Sequence, residues 1–521
     1  MSRDLPSGWV YAQIPDLIGA RGVFNDGDWV ESKDQDPDGD VRLIQLADIG
    51  DGHYVNKSNR FLTKSKAEDL KCTFLSKGDV LLARMPDPLG RACLFPGDPK
   101  RSVTVVDVCV IRGEPTHIDH AWLMHFINSP ALRMKINALQ SGSTRKRISR
   151  GNLSTIPLPV PPRAEQTRIV EKLEELLPDL DAGVAELKAA QRKLAQYRQS
   201  LLKAAVEGAL TVDWRDTRAN TTTPQETGAG LLQRILTERR ARWEAKQLAK
   251  FTEQGKTPPK GWRSKYEEPV EPETINLPAL PDKWVWASLG QLTESLSSGS
   301  RDWAPYYDRG TCTFVMAQNV RPWRPHFSFR QPVDPPEGDR DRARSLIEMD
   351  DLLLTIVGAN TGQACRVAEK IEDHFVCQSV ALIRLTDSSL SEFVNAVLNS
   401  PEHGQKQFRE MNYGAGRPHL SFEQVESVLV PLPPLAEQQE ILRQFDLALA
   451  ATEDATAQLR NAGRYAAAQR KNILKTAFAG QLVPQDPNDE PASVLLERIR
   501  AERAAHGSTG TKRGRTPRKT A

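Results

Sequence analysis

The sequence has little of what metals, disulfides and most active sites need. Its six cysteines, at 72, 93, 109, 312, 365 and 377 of 521 residues, form no Cys-x-x-Cys pair. That scatter argues for reduced, buried thiols and against a disulfide framework or a zinc site. The nine histidines form no metal-spaced cluster, so no metal is expected. No run approaches the roughly 18 apolar residues of a membrane span. The opening "MSRDLPSGWV" lacks the apolar core of a secretory signal, which points to the cytoplasm. A phosphate loop is missing: Gly255-Lys256-Thr257 has no glycine five places before Gly255. No Gly-x-Ser-x-Gly appears either. Charge of one sign is scarce in net terms, with 70 Lys and Arg against 67 Asp and Glu. A net charge of +3 names no partner by itself.

What the chain does have is a long repeat, at an offset close to 272 residues. "LPSGWVYAQI" (5–14) returns as "LPDKWVWASL" (280–289), and "GDVLLARMPDPLGRAC" (78–93) as "DDLLLTIVGANTGQAC" (350–365). "VDVCVIR" (106–112) faces "QSVALIR" (378–384), and "HFINSP" (125–130) faces "AVLNSP" (396–401). "PPRAEQ" (161–166) faces "PPLAEQ" (433–438), and "LLKAAVEGAL" (201–210) faces "ILKTAFAGQL" (473–482). The order never changes, so the chain holds two copies of a two-part unit.

Each copy opens with a mixed segment. "RLIQLADI", "GDVLLARM" and "SVTVVDVCVIR" read as strands, as do "TCTFVMAQNV", "DLLLTIVG" and "QSVALIRL". "AWLMHFIN" and "EFVNAVLN" read as helices stopped at Ser-Pro. A proline phrase follows, with Pro157, Pro159, Pro161 and Pro162 in the first copy, and predicts a stiff extended lead into a helix. Glu165 suits the positive end of that helix dipole.

A long helix is predicted from Arg163 to about Val206. Its apolar seam is Ile169, Leu173, Leu176, Leu180, Val184, Leu187, Leu194, Tyr197, Leu201 and Ala205. Its counterpart carries Ile441, Phe445, Leu449, Leu459, Ile473 and Ala477, interrupted by Thr452 and Thr456. Gly208 and Gly480 fall at C-terminal cap positions, and Pro178 should kink the first helix. The expected fold is α+β: two pseudo-symmetric α+β domains separated by two long helices packed as an antiparallel coiled coil. The expected divisions are domain one at 1–156, helical region one at 157–212 and a linker with a charged amphipathic helix at 213–279. Domain two follows at 280–429, helical region two at 430–505 and a basic, disordered tail at 506–521.

Catalytic patterns are weak. "DPPE" (334–337) approaches the loop of amino-methyltransferases, but Glu337 stands where an aromatic would hold the base. Asp87, Asp98 and Lys100 can be forced into a nuclease pattern, with two carboxylates and a lysine around a metal-bound water. Basic clusters are more telling. Thr144, Arg145, Lys146 and Arg147 precede the first proline phrase, and Arg417 and His419 precede the second. Arg321, Trp323 and Arg324 lie in "NVRPWRPHFSFR", where the copies diverge. Arginine and lysine beside glycine suit phosphates and guanine edges.

Taken in order, "PLPVPPRAEQ…LLKAAVEGAL" and "VPLPPLAEQQ…ILKTAFAGQL", each after an α+β domain, resemble the specificity subunit of type I DNA restriction–modification systems. The resemblance spans about residues 1–505. It implies that the two domains are target recognition domains, each reading half of a bipartite double-stranded DNA target. The helices would set the half-site spacing and dock two modification subunits through positions such as Ile169, Leu173, Leu187, Leu194, Leu201, Ile441, Phe445, Leu459 and Ile473. It places S-adenosylmethionine, ATP and Mg²⁺ in the methyltransferase and motor partners, with no cofactor and no catalysis in this chain. The setting it implies is phage defence in a bacterial or archaeal cytoplasm. A nuclease built on Asp87, Asp98 and Lys100, and a scaffold that binds only proteins, are the competing readings.

Overall fold

A computed structural model describes residues 5–142, 145–219, 226–412, 416 and 418–507. Thr144, Arg417 and most of the basic tail lie outside these residues. The chain forms two compact units, one from 1–188 with 459–521 and one from 189–458.

The first unit holds an antiparallel sheet in the order Val23–Asp26, Val108–Arg112, Val80–Ala83, Ala92–Leu94. Val80–Ala83 is buried at every position, as a central strand covered on both faces should be. A second sheet pairs Val41–Ile44 with Phe61–Leu62 and, in parallel, with Arg101–Thr104. The segment "SVTVVDVCVIR" is therefore two strands in two sheets, broken at the Val105–Asp107 turn. Below the central strand, Asp79 is 1% exposed and receives the Arg112 guanidinium through Nε at 2.6 Å and a terminal nitrogen at 2.5 Å. Such a fork-to-fork pair satisfies a carboxylate that burial alone would penalise.

The second unit repeats this plan. Its antiparallel sheet runs Thr293–Ser298, Val380–Leu385, Leu352–Thr355, Ala364–Arg366. Tyr307–Val315 pairs with Gln331–Val333 and, in parallel, with His374–Val376. Asp351, 1% exposed, holds Arg384 at 2.8 and 2.7 Å. All six cysteines are free, five of them buried, and burial pushes the Cys93 and Cys365 thiols up to about 12.

The proline phrase is not a free-standing lead. Leu158–Val160 is a strand that pairs antiparallel with Val10–Ala12, and Leu429–Leu432 pairs likewise with Val285–Ser288. Two-stranded ribbons have only edges, where proline's missing N–H costs nothing. The Trp just before each opening strand then meets the helix that follows the prolines. Trp9 Nε1 donates to Glu165 at 2.9 Å, and Trp284 Nε1 to Glu437 at 2.9 Å. Gln166 and Gln438 donate to the carbonyls of Pro161 and Pro433 at 3.1 and 2.9 Å. "GWV", "PP" and "AEQ" thus form one joint, which is why they recur together.

The joints differ in one respect. Glu437 also accepts from Thr211 Oγ1 at 2.8 Å and pairs with Arg215. Val483 stands where the repeat aligns with Thr211, and the buried Glu165 Oε1 has no partner. Burial pushes the Glu165 carboxyl above its ordinary range.

The long helices are Arg163–Val206 and Leu435–Ala477. At 44 residues the first spans about 65 Å, and it continues through Pro178. In the first unit Ile169, Leu173 and Leu177 join the domain core beside Leu474 and Ala477. There Arg470 pairs with Asp181. In the second unit Leu201, Leu202, Ala205, Ile441 and Phe445 share the core. Arg198 donates to Thr452 at 2.9 Å and Thr456 at 3.1 Å. With Thr211 on Glu437 as well, the pairing falls in one helix as it rises in the other, so the helices run antiparallel in that unit. Leu187, Leu194 and Leu459 are only half-buried, and Tyr197 is 51% exposed. Tyr197 is therefore not a seam residue; the seam steps from Leu194 to Arg198 to Leu201.

The linker helix Gly228–Glu253 buries Leu231 and Ile235 in the second core. The C-terminal helix Ala492–Gly507 buries Leu495 and Ile499 in the first. Gly228 N–H bonds the Lys283 carbonyl at 2.7 Å, and Ala492 N–H bonds the Gly8 carbonyl at 2.9 Å. Beyond the linker helix the chain folds back, stacking Trp262 on Trp243 at 5.9 Å.

Candidate nucleic-acid interface

Loops at one end of the four-stranded sheet build a rim in each unit. In the first, Ser141 and Arg147 exchange two backbone hydrogen bonds of 2.9 Å and close a small loop. Gly142 turns it at φ +93°, where a Cβ would meet the Arg145 carbonyl oxygen at 2.3 Å. Arg145 and Lys146 stand exposed at its tip with no partner among the described residues. Arg147 lies 3.3 Å from Asp107. The loop is tied to the sheet through Ile148 N–H on the Arg84 carbonyl at 3.1 Å, and Arg84 N–H on the Asp107 carbonyl at 2.9 Å.

The second unit repeats these ties: Leu420 N–H on Ile356, and Ile356 N–H on Ser379, both at 2.9 Å. Register extends the match, since Asp26 lies opposite Cys109 and Ser298 opposite Ala381. Residues 29, 85, 106, 107 and 147 therefore correspond to 301, 357, 378, 379 and 419. In the first unit these are Trp29, Met85, Val106, Asp107 and Arg147; in the second, Arg301, Val357, Gln378, Ser379 and His419. The latter five line a shallow cavity of about 390 Å³. Trp29 is 69% exposed, a large apolar ring left in water.

The structure thus brings Arg147 and His419 to equivalent places, with Arg145 and Lys146 beside the first. Sequence reading missed Trp29, Asp107, Arg301, Gln378 and Ser379, which, apart from the neighbours Gln378 and Ser379, lie on separate short loops. The available signal was the set of aligned positions where flanking strands match and side chains do not.

The "NVRPWRPHFSFR" segment does not join this rim. Trp323, at φ +81°, stacks on Phe445 of the second long helix at 5.6 Å. Arg321 donates to Gln363 at 3.2 Å, and Arg324 is exposed. Two members of the nuclease set are engaged elsewhere. Asp98 pairs with Arg42 at 2.8 Å, and Lys100 Nζ donates to the Gly39 carbonyl at 2.9 Å. Both are engaged in holding the three-stranded sheet. Among the described residues no helix is long and apolar enough to cross a membrane.

The model of the type I restriction modification DNA specificity domain matches residues 6–187 and 353–462. The chain is 26% identical over 412 residues to the type I restriction enzyme EcoKI specificity subunit of Escherichia coli K12, covering 76% of this chain and 75% of that protein. It is 26% identical over 409 residues to the EcoBI specificity subunit of Escherichia coli, covering 77% and 75%. A solved structure from work on complex assembly and conformational transition of the type I R-M system matches in fold, with a TM-score of 0.59 at 16% identity over 92% of this chain and 100% of that one. The chain belongs to the family of type I restriction–modification DNA specificity subunits, the non-catalytic members of those systems.

Proposed function

We propose that residues 1–156 and 280–429 are target recognition domains, each reading one half of a bipartite DNA site through its rim. The observation that carries this reading is the pair of equivalent rims bearing different side chains on matching strands. Arg145 and Lys146 supply phosphate contacts to the first rim, and Arg417, at the position aligned with Arg145, does so for the second. Arg301, Gln378 and His419 offer donors to base edges in the major groove, where all four base pairs differ. The long helices fix the half-site spacing and dock two modification subunits, with motor subunits joining for cleavage. Exposed Tyr197, Leu447 and Tyr465 give these helices apolar contact points. S-adenosylmethionine, ATP and Mg²⁺ act in those partners, in the cytoplasm of the host.

The test is to assemble the chain with its modification subunits and map methylated adenines across a genome. One bipartite sequence is expected. Exchanging residues 1–155 for those of a relative should change one half of it and leave the other. A target that survives the exchange intact would refute the reading.

A further inference from the structure

The C-terminal helix and the linker helix dock alike, each opening with an ion pair across its first turns: Arg498–Glu490 at 3.0 Å and Arg234–Glu226 at 3.1 Å. In the second unit Arg234 also reaches the domain, at Asp387, 3.2 Å away and just beyond the strand Val380–Leu385. The corresponding loop of the first unit, just beyond Val108–Arg112, carries Glu114 and His117 instead. Glu502 of the C-terminal helix comes down onto them.

These three side chains present ligand atoms that all lie within 4.8 Å of one another. The turn that sets the first two is tight: His117 and Ile118 N–H groups bond the Glu114 carbonyl at 2.8 and 3.1 Å. The His117 ring is 2% exposed, with Nε2 3.0 Å from Glu502 and Nδ1 without a partner. Among the described residues the Glu114 carboxylate has no partner at all. The nearby cations are committed elsewhere. Arg163 holds Asp119 at 3.3 Å and the Pro115 carbonyl at 2.9 Å, Arg498 holds Glu490, and Arg503 donates to the Pro15 carbonyl at 2.9 Å. Two carboxylates therefore converge on one buried imidazole, and Arg163 and Arg498, which line the same cavity, form no ion pair with Glu114 or Glu502 among the described residues.

We propose that Glu114, His117 and Glu502 bind a divalent transition-metal cation of the zinc class, which clamps the C-terminal helix to the first domain. The cation does there what the Arg234–Asp387 pair does in the second. One imidazole nitrogen with two carboxylates suits zinc, with water in the open position, whereas magnesium prefers oxygen alone. Ligand atoms around one zinc lie roughly 3.3 Å apart, so small rotamer changes would close the set. Sequence spacing could not reveal this site, because Glu114-Pro-Thr-His117 gains its third ligand only from the far end of the chain.

The experiment uses the full chain and ZnCl2, with MgCl2 as control, and compares it with Glu114→Gln. That residue is chosen because it has no partner to lose, so the variant should fold. Calorimetry should show one more equivalent of zinc on the unaltered chain than on the variant. Tryptic cleavage within 492–507 should slow about tenfold at zinc ten times above its Kd, and only in the unaltered chain. Glu502→Gln should behave as Glu114→Gln does. Equal zinc stoichiometry in the unaltered chain and Glu114→Gln, or cleavage unmoved by zinc, would overturn the proposal.

Discussion

Glu165 and Glu437 occupy the same place in the two joints and should respond oppositely to the same substitution. Glu165→Gln keeps an acceptor for Trp9 and removes a buried charge whose second oxygen is unsatisfied. Stability at neutral pH is expected to hold or rise, by up to about 1 kcal/mol. Glu437→Gln strips Arg215 of its charged partner and should cost about 2 kcal/mol. Urea unfolding of the full chain separates the two. The pH dependence has a definite sign. Because burial raises the folded Glu165 carboxyl above its unfolded value, its stabilising contribution is complete below the unfolded value and lost as pH rises through the folded one. The advantage of Glu165→Gln over the unaltered chain should therefore shrink as pH falls toward about 4. Sequence placed Glu165 at the helix dipole but not against Trp9, since a contact across 156 residues leaves no local periodicity.

At the scale of elements, the helix bounds were legible, Arg163 to Val206 included, because a 3.6-residue pattern over many turns has few competitors. The phase of the seam was less so. Tyr197 looked like a core residue by chemistry, yet the adjacent Arg198 faces the partner helix and satisfies itself on Thr452 and Thr456. What reads as an interruption is a polar lock on register. Replacing both threonines by valine leaves a half-buried guanidinium without acceptors and should cost about 1–3 kcal/mol in thermal unfolding. The cap glycines are similarly constrained. Gly480 sits at φ +69°, where a Cβ would meet Pro6 at 2.5 Å. Gly480→Ala should cost at least about 1 kcal/mol, read in the same melts. The proline phrase is extended, as expected, but its strand pairing was not legible, because proline suppresses the strand signal except at edges, and both phrases are edges.

For the molecule as a whole, the repeat announced two equivalent domains, but the rim could not be assembled from sequence because its five positions come from four separate loops. Their roles separate by readout. Arg145→Ala and Lys146→Ala should weaken binding of the assembled complex to all sequences alike, each lowering the salt slope by about 1. Arg301→Ala or His419→Ala should instead relax one half-site, by about 1–3 kcal/mol against mismatched DNA in competition assays. The two units also differ in how the chain supplies them. The second is one continuous stretch, 189–458, whereas the first needs 459–521 to complete 1–188. Leu474, Ala477, Phe478, Leu495 and Ile499 all belong to the first core. On the ribosome, the second unit can therefore close before the first, although it is made later. The first keeps apolar surface open until the helix Ala492–Gly507 has been made, which leaves it exposed to misassembly for longer than the second.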